Sequence, residues 1–111
     1  MGVLLVICNF PDAASARHAA KELVENRLAA CANVLAPCHS IYRWHGVIES
    51  ATEVPVLLKT SEERFVALSE AIRGLHPYEV PEIVALEVTR GAPSYLQWVI
   101  AETQGSSEAG K

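Results

Sequence analysis

The middle of the chain contains a long extended segment. Residues 30–60 read ACANVLAPCHSIYRWHGVIESATEVPVLLKT. Three strand-like patterns fill this segment, at 30–36, 39–49 and 53–60. Pro37 and Pro55 cannot donate to a strand ladder, so each is expected at a sheet edge or a bulge, and Gly46 offers a turn or a bulge. This much strand is too long for one small sheet, and it therefore leaves backbone groups that another chain can pair.

The segments around it predict the remaining elements. GVLLVICNF (2–10) is a continuous apolar run, typical of a strand covered on both faces. Asp12 is a candidate N-cap for a helix ending near Leu28, and Thr60 or Ser61 for a second helix. The apolar positions that repeat at helical spacing are Ala16, Ala19, Ala20, Leu23, Val24 and Leu28, then Phe65, Leu68, Ile72 and Leu75.

A strand at 82–88 and a final helix with Pro93 at its first position complete the order. The order βαββαβ plus a C-terminal helix predicts an α+β fold of the ferredoxin-like, split βαβ type. We expect one domain over residues 1–104 and a disordered tail at 105–111. Half of the 111 residues are apolar. A domain this small and apolar is expected to bury surface against further copies of itself.

Composition excludes several functional classes. The net charge is -4 and the nine Lys and Arg residues are scattered, which disfavours nucleic acid as a partner. VLLVIC is far shorter than a membrane span, and no basic segment or cleavage site accompanies it, so we expect a cytoplasmic protein without membrane contact. Three cysteines without a CxxC pair suit a reducing compartment. No Ser/His/Asp order or Gly-rich phosphate loop stands out, and we expect no enzymatic activity.

HPYEVPE (76–82) concentrates polar side chains between two prolines. His76 either satisfies a carbonyl in a rigid connector or contacts a ligand. Cys8 is either a small buried hydrophobe or a thiol whose pKa is lowered by the following helix N-terminus. The candidates for a ligand cleft or a subunit interface, with interface preferred, are Tyr42, Trp44, Lys59, Tyr78, Glu79 and Glu82.

Six short motifs together resemble the CutA divalent-cation tolerance family. They are CNFPD, RLAACANV, SIYRWHG, LLKT, HPYEVPEIV and YLQWV, in this order between about residue 3 and residue 103. The resemblance implies a ferredoxin-like subunit in a homotrimer, in which long strands of neighbouring subunits pair as in PII-like signalling proteins.

The same resemblance implies a function in metal-ion tolerance. It assigns copper, with zinc or another divalent cation as alternatives, to Cys8 and His76, a thiol and an imidazole that suit such ions. Some members carry two adjacent histidines here, whereas this chain has Leu75 before His76. The alternative is a PII-like trimer that holds a small metabolite or anion between subunits and has no physiological metal role.

Overall fold

The computed structural model describes residues 2–104, and within them five antiparallel strands form one sheet with three helices. The elements are β1 (Val3–Phe10), α1 (Ala13–Glu25), β2 (Cys31–Val34), β3 (Cys38–Trp44), β4 (Val47–Ser61), α2 (Phe65–Leu75), β5 (Ile83–Val88) and α3 (Pro93–Glu102). The sheet order is β2-β4-β1-β5, and β3 pairs with the first half of β4. The predicted α+β, ferredoxin-like arrangement is confirmed. The tail expected at 105–111 lies outside the described residues.

β1 is an inner strand of the sheet, as its continuous apolar sequence predicts. It pairs with β4 along one edge and with β5 along the other. Val6, Cys8 and Phe10 alternate along the strand toward α1 and α2, and each is at most 1% exposed. The main core therefore lies between this face of the sheet and the two helices.

The two helix starts differ. Asp12 caps α1 as predicted, because its carboxylate accepts from the Ser15 backbone N–H at 2.7 Å. Ser61 takes the predicted N-cap position of the helical segment that leads into α2, but its side chain makes no capping hydrogen bond. The Thr60 hydroxyl instead donates to the backbone oxygen of Leu28 at 2.7 Å, and a 3₁₀ turn at Glu62–Arg64 leads into α2.

The predicted strand at 39–49 is a hairpin. β3 ends at Trp44, and Trp44 pairs directly with Val47 at the start of β4. His45 and Gly46 both have positive φ, 51° and 80°, as a two-residue type I′ turn requires. β4 is consequently 15 residues long and starts well before the predicted residue 53.

The junction between β2 and β3 contains a bulge opposite Pro55. Val34 pairs with Val56, whereas Cys38 pairs with Glu53, so one extra residue lies on the β2–β3 side. The Pro55 backbone oxygen accepts from Leu35 N–H at 2.9 Å. Its nitrogen faces the same irregular junction, where no donor is required, and the predicted bulge at this proline is confirmed.

α3 covers one end of the second sheet face. Val99 is fully buried with Val3 in a small cluster there. The Thr103 hydroxyl oxygen lies 3.1 Å from that of Ser61, which joins the end of α3 to the end of β4. The rest of this face stays apolar, and Val84 and Leu86 are 46% and 51% exposed. None of the helices within residues 2–104 is long and apolar enough to cross a bilayer.

Candidate functional site

The His76 ring is held from both sides by backbone groups. It follows α2 directly, is 8% exposed, and stacks on Phe10 with a centroid separation of 4.6 Å. Its Nδ1 accepts from the Tyr78 backbone N–H at 3.2 Å. Nε2 therefore carries the proton of the neutral ring and donates to the backbone oxygen of Asn9 at 2.5 Å. Both nitrogens are occupied, which matches the connector interpretation of His76.

Cys8 is a protonated thiol. Its side chain is fully buried among the core residues between the sheet and the helices. Burial, followed by the negative charges of Glu82 and Glu53, raises the pKa of Cys8 to about 12. Of the two interpretations of Cys8, these observations match the small buried hydrophobe and contradict the thiol with a lowered pKa.

Cys8 and His76 meet at one backbone oxygen. The Cys8 Sγ lies 3.9 Å from the oxygen of Asn9, the same atom that accepts from His76. The pair does not fit a closed metal site as it stands, because the thiol holds its proton and both imidazole nitrogens have partners. Across residues 2–104, no group of three His, Cys, Asp or Glu side chains is arranged to hold a metal ion.

The side chain of Asn9 links the same place to an acidic cleft. Its Nδ2 donates to Glu82 Oε1 at 3.1 Å and lies 3.5 Å from Glu53 Oε1. Glu53 is 8% exposed, and its carboxylate also accepts from the Tyr78 hydroxyl. Burial, together with Glu53, raises the pKa of Tyr78 to about 12. Tyr78 is therefore a neutral hydrogen-bond donor to a buried carboxylate.

The cleft has a volume of about 660 Å³. One face of the β3–β4 hairpin forms its floor, since Tyr42 lies opposite Glu49 and Trp44 lies two residues further along the same face. The connector after α2 forms its wall. The residues that line it are Asn9, Ser40, Ile41, Tyr42, Trp44, Glu49, Glu53, Tyr78, Glu79, Val80 and Glu82.

Most of the predicted cleft residues come together here. Five of the six line the cleft: Tyr42, Trp44, Tyr78, Glu79 and Glu82. Lys59 does not, because it lies toward the other end of β4, where it donates to the Asn33 side chain. Sequence reasoning missed Asn9, Glu49 and Glu53. Asn9 stands inside the quoted motif CNFPD, but finding the two glutamates requires the hairpin register.

Comparison with known proteins gives one consistent result. The model of the family described as "CutA1 divalent ion tolerance protein" matches residues 4–102. Protein CutA of Mus musculus is 44% identical over 100 residues, which cover 90% of this chain and 56% of that protein. The chain therefore spans little more than half of that relative. The Divalent-cation tolerance protein CutA of Thermus thermophilus is also 44% identical, over 89% of this chain and 96% of its own length.

Solved structures agree. The divalent cation tolerance protein from Thermus thermophilus superposes with a TM-score of 0.89 at 44% identity, covering 91% of this chain and 98% of the other. CutA from Xylella fastidiosa gives a TM-score of 0.90 at 38% identity, over 94% and 100% of the two chains. A relative from Archaeoglobus fulgidus, named as a periplasmic divalent cation tolerance protein, gives 0.88 at 32% identity over 92% and 99%. The chain belongs to the CutA1 divalent ion tolerance protein family.

Proposed function

We propose that this protein binds a divalent transition metal ion, copper or zinc, and acts in cellular tolerance of such ions. The observation that carries the proposal is the family match over residues 4–102. The names of the relatives from Thermus thermophilus and Archaeoglobus fulgidus support it, since both are called divalent cation tolerance proteins. We further propose a cytoplasmic location, although the Archaeoglobus relative is named periplasmic.

The donor atoms of one chain come in pairs. Cys8 and His76 meet at the Asn9 backbone oxygen, and Glu53 and Glu82 meet at the Asn9 amide. Zinc and copper sites in proteins usually need three or more protein ligands, and within residues 2–104 no such group exists. In this proposal a metal ion therefore takes further ligands from water or from another copy of the chain.

A homotrimer supplies such a second copy. Val84 and Leu86 leave an apolar surface on the open sheet face, and Ile41 at the hairpin is 74% exposed. β3 pairs with β4 on one side, while its other edge pairs with no strand within residues 2–104. An unpaired edge beside exposed apolar side chains is a surface that strand pairing between subunits would cover. These features support the proposed trimer and the pairing of strands between its subunits.

The test is a calorimetric titration of Cu(II) and Zn(II), and of Cu(I) under reductant, with light scattering to record the assembly. Three double variants are compared with the unmodified protein. They are Cys8→Ser/His76→Gln, Glu53→Gln/Glu82→Gln, and, as the charge-matched control, Glu63→Gln/Glu70→Gln on an exposed surface away from the cleft.

We expect saturable binding with a fixed stoichiometry per trimer that the control keeps. Where light scattering shows an unchanged assembly, loss in the first variant assigns Cys8 and His76 as ligands, and loss in the second assigns the carboxylates. Absence of saturable binding of any of the three ions to the unmodified protein contradicts the proposed function.

The alternative is a PII-like trimer that holds a small metabolite or anion between its subunits, and the cleft residues of one chain do not favour an anion. The cleft contains four glutamates, and none of the residues that line it is Lys, Arg or His. An anion would gain no charge-assisted contact there and would be repelled by the carboxylates.

A further inference from the structure

The cleft defined above carries uncompensated negative charge. Its four carboxylates belong to Glu49, Glu53, Glu79 and Glu82. The ion pairs seen within residues 2–104, Lys21–Glu25 and Arg27–Glu102, lie outside it. A concave site lined by charge of one sign concentrates ligands of the opposite sign. The ligand that fits this cleft is therefore a cation.

Aromatic side chains distinguish an organic cation from a metal ion. Tyr42 and Trp44 lie side by side on one face of β3, and Tyr78 closes the cleft from the connector. Ring faces attract ammonium groups and bury the methylene groups next to them. A hydrated metal ion makes neither contact. The combination of rings and carboxylates in a cleft of about 660 Å³ is that of a small-molecule site, within the usual size range.

The carboxylates are spread along the cleft. Glu49 and Glu53 lie on the same face of β4, four residues apart, which corresponds to about 13 Å along a strand. The absence, within residues 2–104, of a compact three-ligand group agrees with this spread. On this face Ser40 and Ala51 lie between the two carboxylates, Tyr42 lies beside Glu49, and Tyr78 contacts Glu53. Separated carboxylates, each with a ring beside it, match a ligand whose positive charges are separated by an apolar carbon chain.

The negative charge of Glu53 also affects two neighbouring titratable side chains. Negative charge from Glu53 contributes to the raised pKa of both Cys8 and Tyr78, on opposite sides of Asn9. Among the described residues that line the cleft there is no Lys, Arg or His beside this carboxylate, so it can pair with a cation that enters the cleft.

We propose that the cleft binds a linear aliphatic polyamine. One ammonium group pairs with Glu49 at the hairpin end, and another pairs with Glu53 and Glu82 beside Asn9. The methylene chain between them passes Ser40, with Tyr42 beside the first ammonium group and Tyr78 beside the second. This inference does not rest on the proposed metal function, because it uses neither Cys8 nor His76 as a ligand.

The experiment is a calorimetric titration of spermidine into the intact protein at low salt. A second readout is the fluorescence of Trp44, in a Trp98→Phe background because Trp98 lies outside the cleft. Glu49→Gln removes an exposed cleft carboxylate and Tyr42→Leu removes a ring. Glu70→Gln makes the same charge change on an exposed position of α2. Mg²⁺ at matched ionic strength is the inorganic control.

We expect spermidine to bind saturably and to change Trp44 fluorescence. Glu49→Gln and Tyr42→Leu should each weaken binding about fivefold, and Glu70→Gln less than about twofold. Equal weakening by Glu49→Gln and Glu70→Gln overturns the proposal, because it indicates nonspecific attraction to net charge. Absence of spermidine binding also overturns the proposal, and this is the result expected if another copy of the chain fills the cleft. An Mg²⁺ response equal to that of spermidine overturns it as well. None of these outcomes decides the metal proposal, which the titration of copper and zinc tests separately.

Discussion

His76 donates from Nε2 to the backbone oxygen of Asn9, and the side chain of Asn9 donates to Glu82 on the other side of the strand. One residue at the end of β1 thus connects the buried ring behind the sheet to the acidic cleft in front of it. Any displacement of the ring shifts the backbone that positions the cleft carboxylates.

We predict that His76→Ala lowers the free energy of unfolding by about 2–4 kcal/mol. The substitution removes a buried ring stacked on Phe10 and leaves the Asn9 backbone oxygen without its donor. Urea denaturation at fixed protein concentration measures the change. His18→Ala, on an exposed position of α1, is the control and should stay within about 0.5 kcal/mol. Equal effects of the two substitutions would show that the ring has no structural role.

Because of Cys8, the free energy of unfolding should decrease at high pH. The folded protein raises the pKa of Cys8 from its ordinary value of 9.0 to about 12. The folded state therefore keeps a proton that the unfolded state loses. The resulting stabilisation is complete below about pH 9 and disappears as the pH rises toward about 12. Unfolding free energy should fall more steeply between these values in the unmodified protein than in Cys8→Ala.

The two proteins differ in no other titratable side chain, so the difference in slope isolates the thiol. Parallel pH profiles would contradict the assignment of a deeply buried, protonated Cys8.

Two glycines should respond in opposite directions to the same substitution. Gly46→Ala forces a side chain into positive φ in the hairpin turn and should destabilise the protein by about 1 kcal/mol. Gly74 lies in α2 with open space around an added Cβ, so Gly74→Ala should stabilise it by about 0.5–1 kcal/mol. Melting temperatures of the two variants measure the contrast. A gain from Gly46→Ala would be incompatible with the type I′ turn.

Thr103→Val should cost about 1–3 kcal/mol. The Thr103 hydroxyl is buried and lies 3.1 Å from that of Ser61 and 3.0 Å from the Val99 backbone oxygen. The valine keeps the shape and leaves the buried Ser61 hydroxyl without this partner. Thr89→Val, at an exposed position after β5, is the control. If both variants melt at the same temperature, this hydrogen bond does not hold α3 to the sheet.

The order of elements was predictable because it depends on local patterns. The apolar repeat of α2 and the proline that begins α3 act within one or two helical turns. The hairpin was predictable only in part: Gly46 indicated a turn or a bulge, but positive φ at His45 is uncommon outside glycine, asparagine and aspartate. The alternation around Tyr42 continues to residue 45 and therefore did not decide between a turn and a bulge.

The site was predictable only in part, for a related reason. Tyr78 and Glu82 stand in one short motif, and a rigid connector keeps them together. Glu53 is distant in sequence from that motif and reaches it through the pairing of β4 with β1. The pKa of Cys8 depends on burial and on these distant carboxylates, so the position before a helix could not reveal it.

The extra residue between β2 and β3 keeps a positively charged side chain out of the cleft. With the register of β2 continued, Ile41 would lie opposite Glu49 in place of Tyr42, and Arg43 would take the position of Trp44. A guanidinium would then lie on the cleft face and offset one of the four negative charges. The bulge opposite Pro55 shifts the register of β3 by one residue, so Arg43 lies on the other face of the hairpin. The carboxylates of the cleft can therefore attract a cation from solution.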